Sequence, residues 1–174
     1  MKMLLQNKKT PKISLGTIRE CDFDSLIAIL KSEEVGKTYM VPDLETKEQE
    51  LALFSRLLHL SKSGEKFFKG IFSNDRLIGI INQTDLYDKS IELGYALSPE
   101  FFGKGYMTAA LKDAISFLFE NGFEEITAGA FEYNIASIRV MQKCNMMPIE
   151  KTEDIEYRGR IHKCVFYSIT KSTE

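Results

Sequence analysis

The sequence predicts a mixed α/β fold: a mostly antiparallel twisted sheet of about seven strands flanked by about four helices. Two observations carry that reading. Between Lys66 and Leu97 three strand-like stretches follow one another across connections so short that they join only antiparallel neighbours. Helical patterns stand before and after these strands, so both faces of the sheet are covered. No internal repeat, low-complexity stretch or Pro/Gly/Ser linker breaks the 174 residues, which points to a single domain over 1–174.

Taken in order, Ile13 to Ile18 alternates apolar with small or polar residues, a strand signal. Asp22 is placed to N-cap a helix that buries Leu26, Ile27 and Leu30. Thr46-Lys47-Glu48-Gln49 has the pattern of a capping box, and Phe54, Leu57, Leu58 and Ser61 follow at helical spacing, with Gly64 as the stop. The three strands are Lys66 to Phe72, Leu77 to Gln83 and Ser90 to Leu97, joined by Ser73-Asn74-Asp75 and by Asp85 to Asp88. A helix from Tyr106 to Asn121 carries Met107, Ala110, Leu111, Ala114 and Leu118 on one face. A strand over Ile126 to Phe131, a helix over Asn134 to Cys144, and strands over Met147 to Thr152 and Ile161 to Ile169 complete the chain.

Composition narrows the function. At 44% apolar and 28% charged residues the chain has a globular balance. A net charge of -2 supplies no basic field, so neither nucleic acid nor a membrane is an expected partner. Cys21, Cys144 and Cys164 form no CxxC pair and no metal set with His59 or His162, and read as reduced, buried thiols. Met1 to Lys12 holds only Leu4 and Leu5 as an apolar stretch, and no run approaches the roughly 20 apolar residues of a membrane helix. A cytoplasmic protein is expected.

The segment that carries chemistry runs from Glu92 to Asn145. Phe102-Gly103-Lys104-Gly105-Tyr106-Met107 stands where a strand gives way to a helix. Two glycines let the backbone approach a ligand closely, and the free N–H groups of the first helical turn favour an anion such as a diphosphate. A Walker loop is excluded because Gly105, not Ser or Thr, follows Gly103-Lys104. The dinucleotide fingerprint is excluded because Thr108 stands where its third glycine belongs and antiparallel strands precede it.

Ser98 to Thr108 resembles the acetyl-CoA motif of the GNAT N-acetyltransferase superfamily. Asn134 to Cys144, Glu92-Leu93-Gly94-Tyr95 and Tyr157-Arg158-Gly159 are similar to the branch of ribosomal-protein N-terminal (alanine) acetyltransferases. The resemblance implies a bulge on the strand ending at Leu97 and a V-shaped splay from its neighbour. It implies a pantetheine arm along Tyr95, Ala96 and Leu97, and a pyrophosphate on Gly103, Lys104, Gly105, Tyr106, Met107 and Thr108. It also implies contacts from Asn134, Ser137 and Lys143, with acetyl-CoA as cosubstrate and no metal. The chain departs from the family at Phe102 and Met107, which fill the ends of the glycine pattern. It departs again at Met141, where many relatives carry the tyrosine that protonates the leaving thiolate, and at Asn145-Met146 in place of Gly-Phe.

The expected reaction is direct attack by a primary amine on the thioester in a ternary complex; the acceptor is a protein N-terminus or a small amine. An amine of pKa near 8 is mostly protonated at neutral pH, so a carboxylate base helps. Glu92 is the candidate, sharing a strand face with Gly94, which would leave space beside it; the alternative is an ordinary strand residue. Ser137 either serves the thioester sulfur or satisfies the helix end. Cys144 has no nearby histidine to activate it and reads as core. The acidic residues Glu150, Glu153, Asp154 and Glu156 lie around the last hairpin, either facing an acceptor amine or solvated. A non-catalytic acyl-CoA sensor of the same fold is the alternative function, and a homodimer is left open.

Overall fold

The computed structural model describes residues 10–172; the Leu4-Leu5 stretch lies outside them. Seven strands form one sheet: β1 (Ser14–Gly16), β2 (Phe68–Ser73), β3 (Arg76–Tyr87), β4 (Ser90–Leu97), β5 (Glu125–Phe131), β6 (Met147–Tyr157) and β7 (Arg160–Thr170). Their order is β1-β2-β3-β4-β5-β7-β6. Every neighbouring pair is antiparallel except β4 and β5, which run parallel. Helix α1 (Phe23–Leu30), the four-residue α2 (Glu33–Gly36) and α3 (Lys47–Ser63) precede β2; α4 (Tyr106–Glu120) joins β4 to β5, and α5 (Ile135–Lys143) joins β5 to β6.

The two faces hold two cores. Ile78, Ile81, Ile91 and Leu93 pack with Leu111, Ala114 and Leu118 of α4 and Met141 of α5. On the other face Phe68, Phe72, Ile80 and Ala96 pack with Leu26, Ile27 and Leu30 of α1 and Phe54 of α3. The alternation read along β4 is thus the alternation between the cores. Ser61, at the apolar spacing of α3, is buried because its hydroxyl accepts from the Ile18 backbone N–H at 2.9 Å. The capping box forms as expected: Thr46 accepts from the Gln49 N–H and Gln49 from the Thr46 N–H.

Several expectations are corrected. Asp22 turns its carboxylate back to the Arg19 N–H at 2.8 Å and to the Arg19 guanidinium, and does not cap α1. The β3–β4 connection is not Asp85 to Asp88: β3 absorbs an extra residue near Thr84 and pairs with β4 as far as Tyr87. Strands β6 and β7 likewise extend to a tight turn at Arg158 and Gly159, both at positive φ. Cys21 is exposed, whereas Cys144 and Cys164 are buried. No described helix is long and apolar enough to cross a membrane.

Candidate active site

Strands β4 and β5 part company. They pair only from Ser90 against Glu125 to Leu93 against Ala128, while β4 continues to Leu97 and β5 to Phe131. Gly94 to Leu97 therefore have no strand partner on the β5 side, and this V is the inner end of a cleft of about 660 Å³. The expected bulge beside the splay exists, but on β3 at Thr84 and not on β4.

At one end of the cleft lies the glycine turn. Gly103 and Gly105 have φ of 70° and 88°, and Gly105 is the N-cap of α4. The first helical bond runs from the Ala109 N–H to the Gly105 carbonyl, and no side chain caps the turn. The N–H groups of Tyr106, Met107 and Thr108 thus have no partner inside the helix, and the positive end of the helix dipole faces the cleft. Such a row of donors holds an anion. Met107 turns its side chain into the core, 7% exposed, and does not crowd these donors. Phe101 braces the turn edge-to-face against Tyr106, with ring centroids 5.1 Å apart.

In the middle of the cleft, Asn134 caps α5 by accepting from the Ser137 N–H at 3.1 Å. The Ser137 hydroxyl lies 2.7 Å from the hydroxyl of Tyr95. Burial holds that phenol well above the ordinary tyrosine range, with the Ser137 bond pulling the other way, so Tyr95 keeps its proton. Neither expectation for Ser137 foresaw this pairing. Met141 is fully buried in the core, so the position of the missing tyrosine offers no group to the cleft.

At the far end, Glu92 accepts from the Thr84 hydroxyl at 2.9 Å and from the Lys151 ammonium at 3.0 Å. Glu92 and Gly94 both line the cleft, although the Cβ direction of Gly94 is taken up: a Cβ there would stand 2.9 Å from Thr84 Cγ2, with Asn82 and Tyr39 just beyond. Tyr39 donates to Asn82 Oδ1 at 2.8 Å, and burial raises its phenol to about 12. Burial also pushes the Cys144 and Cys164 thiols up to about 11, which favours the protonated thiol over the thiolate at neutral pH. Among the described residues no group of His, Cys, Asp or Glu is placed to hold a metal ion.

The acetyltransferase (GNAT) domain family matches residues 12–147. The chain belongs to the GNAT acetyltransferases. It is 26% identical over 172 residues to YoaA of Bacillus subtilis, named as an uncharacterized N-acetyltransferase, across 95% of this chain and 97% of that one. Its fold is that of RimL, a ribosomal L7/L12 alpha-N-protein acetyltransferase solved with coenzyme A (TM-score 0.80, 19% identity, 91% of this chain and 93% of that one). It is also that of a spermidine N-acetyltransferase from Vibrio cholerae solved with CoA and spermine (TM-score 0.76, 15% identity, 91% and 95%). RimL is a member of the branch that the sequence motifs resemble.

In this GNAT enzyme, Glu92, Tyr95, Ala96, Leu97, Gly103, Gly105, Tyr106, Met107, Thr108, Asn134, Ser137 and Lys143 all line the cleft. Lys104 does not: its ammonium donates to the Glu100 carbonyl at 2.6 Å on the outside of the turn. Of the four acidic residues near the hairpin only Glu153 reaches the cleft. Tyr39, Asn82, Phe131 and Phe166 also line it and were not foreseen. Tyr39 lies in a stretch with no periodic signal, and the two phenylalanines read from sequence as ordinary strand residues.

Proposed function

We propose that this enzyme transfers the acetyl group of acetyl-CoA to a primary amine by direct attack in a ternary complex. The parting of β4 and β5 beyond Leu93 carries the reading, because it joins the anion-holding turn to Ser137 and Glu92 in one continuous cleft. The pyrophosphate rests on the backbone from Gly103 to Thr108, and the pantetheine arm runs along the unpaired edge of Tyr95 to Leu97, past Asn134 and Lys143. Neighbours of the same fold solved with CoA support the donor. Glu92 accepts the amine's proton, directly or through water, and the tetrahedral intermediate expels the CoA thiolate.

Ser137 serves that thiolate. Ser137 lines the cleft, and Tyr95, which stays protonated, is its hydroxyl's hydrogen-bond partner. Ser137→Ala is expected to lower kcat about 10-fold with little change in acetyl-CoA affinity, and Tyr95→Phe to reproduce part of that loss. Steady-state kinetics with a parallel binding titration separates the two effects. Unchanged turnover in Ser137→Ala would remove the hydroxyl from the reaction.

The overall reading is tested by following free thiol during incubation with acetyl-CoA and a panel of amino-terminal peptides, amino acids and polyamines. Amine-dependent CoA release is the expected result. Tight acetyl-CoA binding with no release for any amine would instead describe a sensor.

A further inference from the structure

An ammonium stands against three residues that line the far end of the cleft, Glu92, Glu153 and Phe166. Lys151 Nζ lies 3.0 Å from Glu92 Oε2 and 3.1 Å from Glu153 Oε1. It also sits 4.1 Å from the centroid of the Phe166 ring. That ring is buried and packs against Gly129, where a Cβ would come within 2.7 Å of it. Two carboxylates and an aromatic face are the groups that recognise an alkylammonium ion. Desolvation pulls the lysine's pKa down, but the hydrogen bonds to Glu92 and Glu153 and their negative charges together raise it, so its charge is retained.

The placement depends on an irregularity in the last hairpin. The pairing of β6 with β7 loses register between Pro148 and Thr152. Lys151 stands in that gap, and its side chain reaches across the faces of β7 and β5 to Glu92 on β4. A regular ladder would fix the direction of residue 151 by alternation alone.

We infer that Lys151 is a specificity-determining residue that selects against polycationic acceptors by holding the ammonium position between Glu92 and Glu153. The inference rests on the reading of Glu92 as the acceptor end of the cleft. With Lys151 in place the three side chains sum to one negative charge, which suits an acceptor bearing a single ammonium. A polyamine brings further positive charge toward Lys151, and this repulsion is how a site rejects the wrong partner. The acceptors of this enzyme therefore present one amine followed by an uncharged or anionic segment.

The test compares wild type, Lys151→Met and Lys151→Arg on spermidine and on a short peptide amide whose only charge is its α-amine. Lys151→Met is expected to raise the ratio of kcat/KM for spermidine over the peptide about 10-fold, and Lys151→Arg to leave it near the wild-type value. Calorimetric titration of spermidine into the CoA-loaded proteins supplies a readout free of turnover, with affinity expected to tighten by a similar factor in Lys151→Met. Glu153→Gln, which keeps Lys151, should shift the ratio further toward the peptide. An unchanged ratio and unchanged spermidine affinity in Lys151→Met would overturn the inference, as would a wild-type preference for spermidine. If spermidine binding tightens while no amine is acetylated by any variant, acetyl transfer is refuted and the role of Lys151 stands.

Discussion

Replacing Gly105 with valine should weaken acetyl-CoA binding by about 100-fold. The reason lies in the backbone. A Cβ at Gly105 would rest 3.7 Å from the Pro11 ring, an ordinary contact, so crowding at that point does not decide the outcome. The residue's φ of 88° does, because a β-branched side chain in the left-handed region costs about 1–2 kcal/mol. The turn relieves that strain by rotating, and rotation moves the N–H groups of Tyr106, Met107 and Thr108 away from the ligand. A hydrogen bond to a charged group contributes about 1.5–3 kcal/mol, so losing one or two reaches the stated factor. Gly105→Asn is the control: asparagine tolerates the left-handed conformation and should stay within about 10-fold of wild type. Lys104→Ala should change affinity little, since its ammonium is turned onto the Glu100 carbonyl. Calorimetry decides the matter, and wild-type affinity in Gly105→Val would show that the turn does not hold the pyrophosphate.

The glycine turn was legible because it combines two local signals, a positive-φ pair and an amphipathic helix start, within six residues of sequence. The limits of β4 and the Thr46 capping box were legible for the same reason: strand alternation and cap chemistry act over a few neighbouring residues. Helix α2 was not, since four residues carry no measurable periodicity. Thr84 shows a different limit. Its extra residue in β3 carries the strand past the expected turn and sets the Thr84 methyl group against Gly94, and nothing in the alternation of β3 announces it. The pairing of Ser137 with Tyr95 and of Glu92 with Lys151 joins residues 42 and 59 positions apart. Such contacts exist only once the sheet order β4-β5-β7-β6 is in place. The sequence therefore located the site by its backbone features, while the partners that condition its side chains came from the tertiary fold.

Glu92→Gln should lower kcat/KM about 100-fold near neutral pH, the loss expected for a general base. Glu92 is not a free carboxylate: Thr84 donates to one oxygen and Lys151 to the other. Each carboxylate oxygen still has a second lone pair, so the group can receive a proton from the incoming ammonium or from a bridging water while both partners stay in place. Glutamine keeps the shape and one acceptor oxygen but cannot take up that proton. The deficit should shrink as pH rises toward and beyond the amine's own pKa, near 8 for an α-amine, because the free base is then abundant without help. The measurement is a pH–rate profile of kcat/KM for both proteins on the best wild-type acceptor. Loss of the ion pair alone would lower activity by a constant factor at every pH, since Lys151 stays charged throughout that range. A profile of unchanged shape in Glu92→Gln would mean that the amine arrives already neutral and that Glu92 serves only to anchor Lys151.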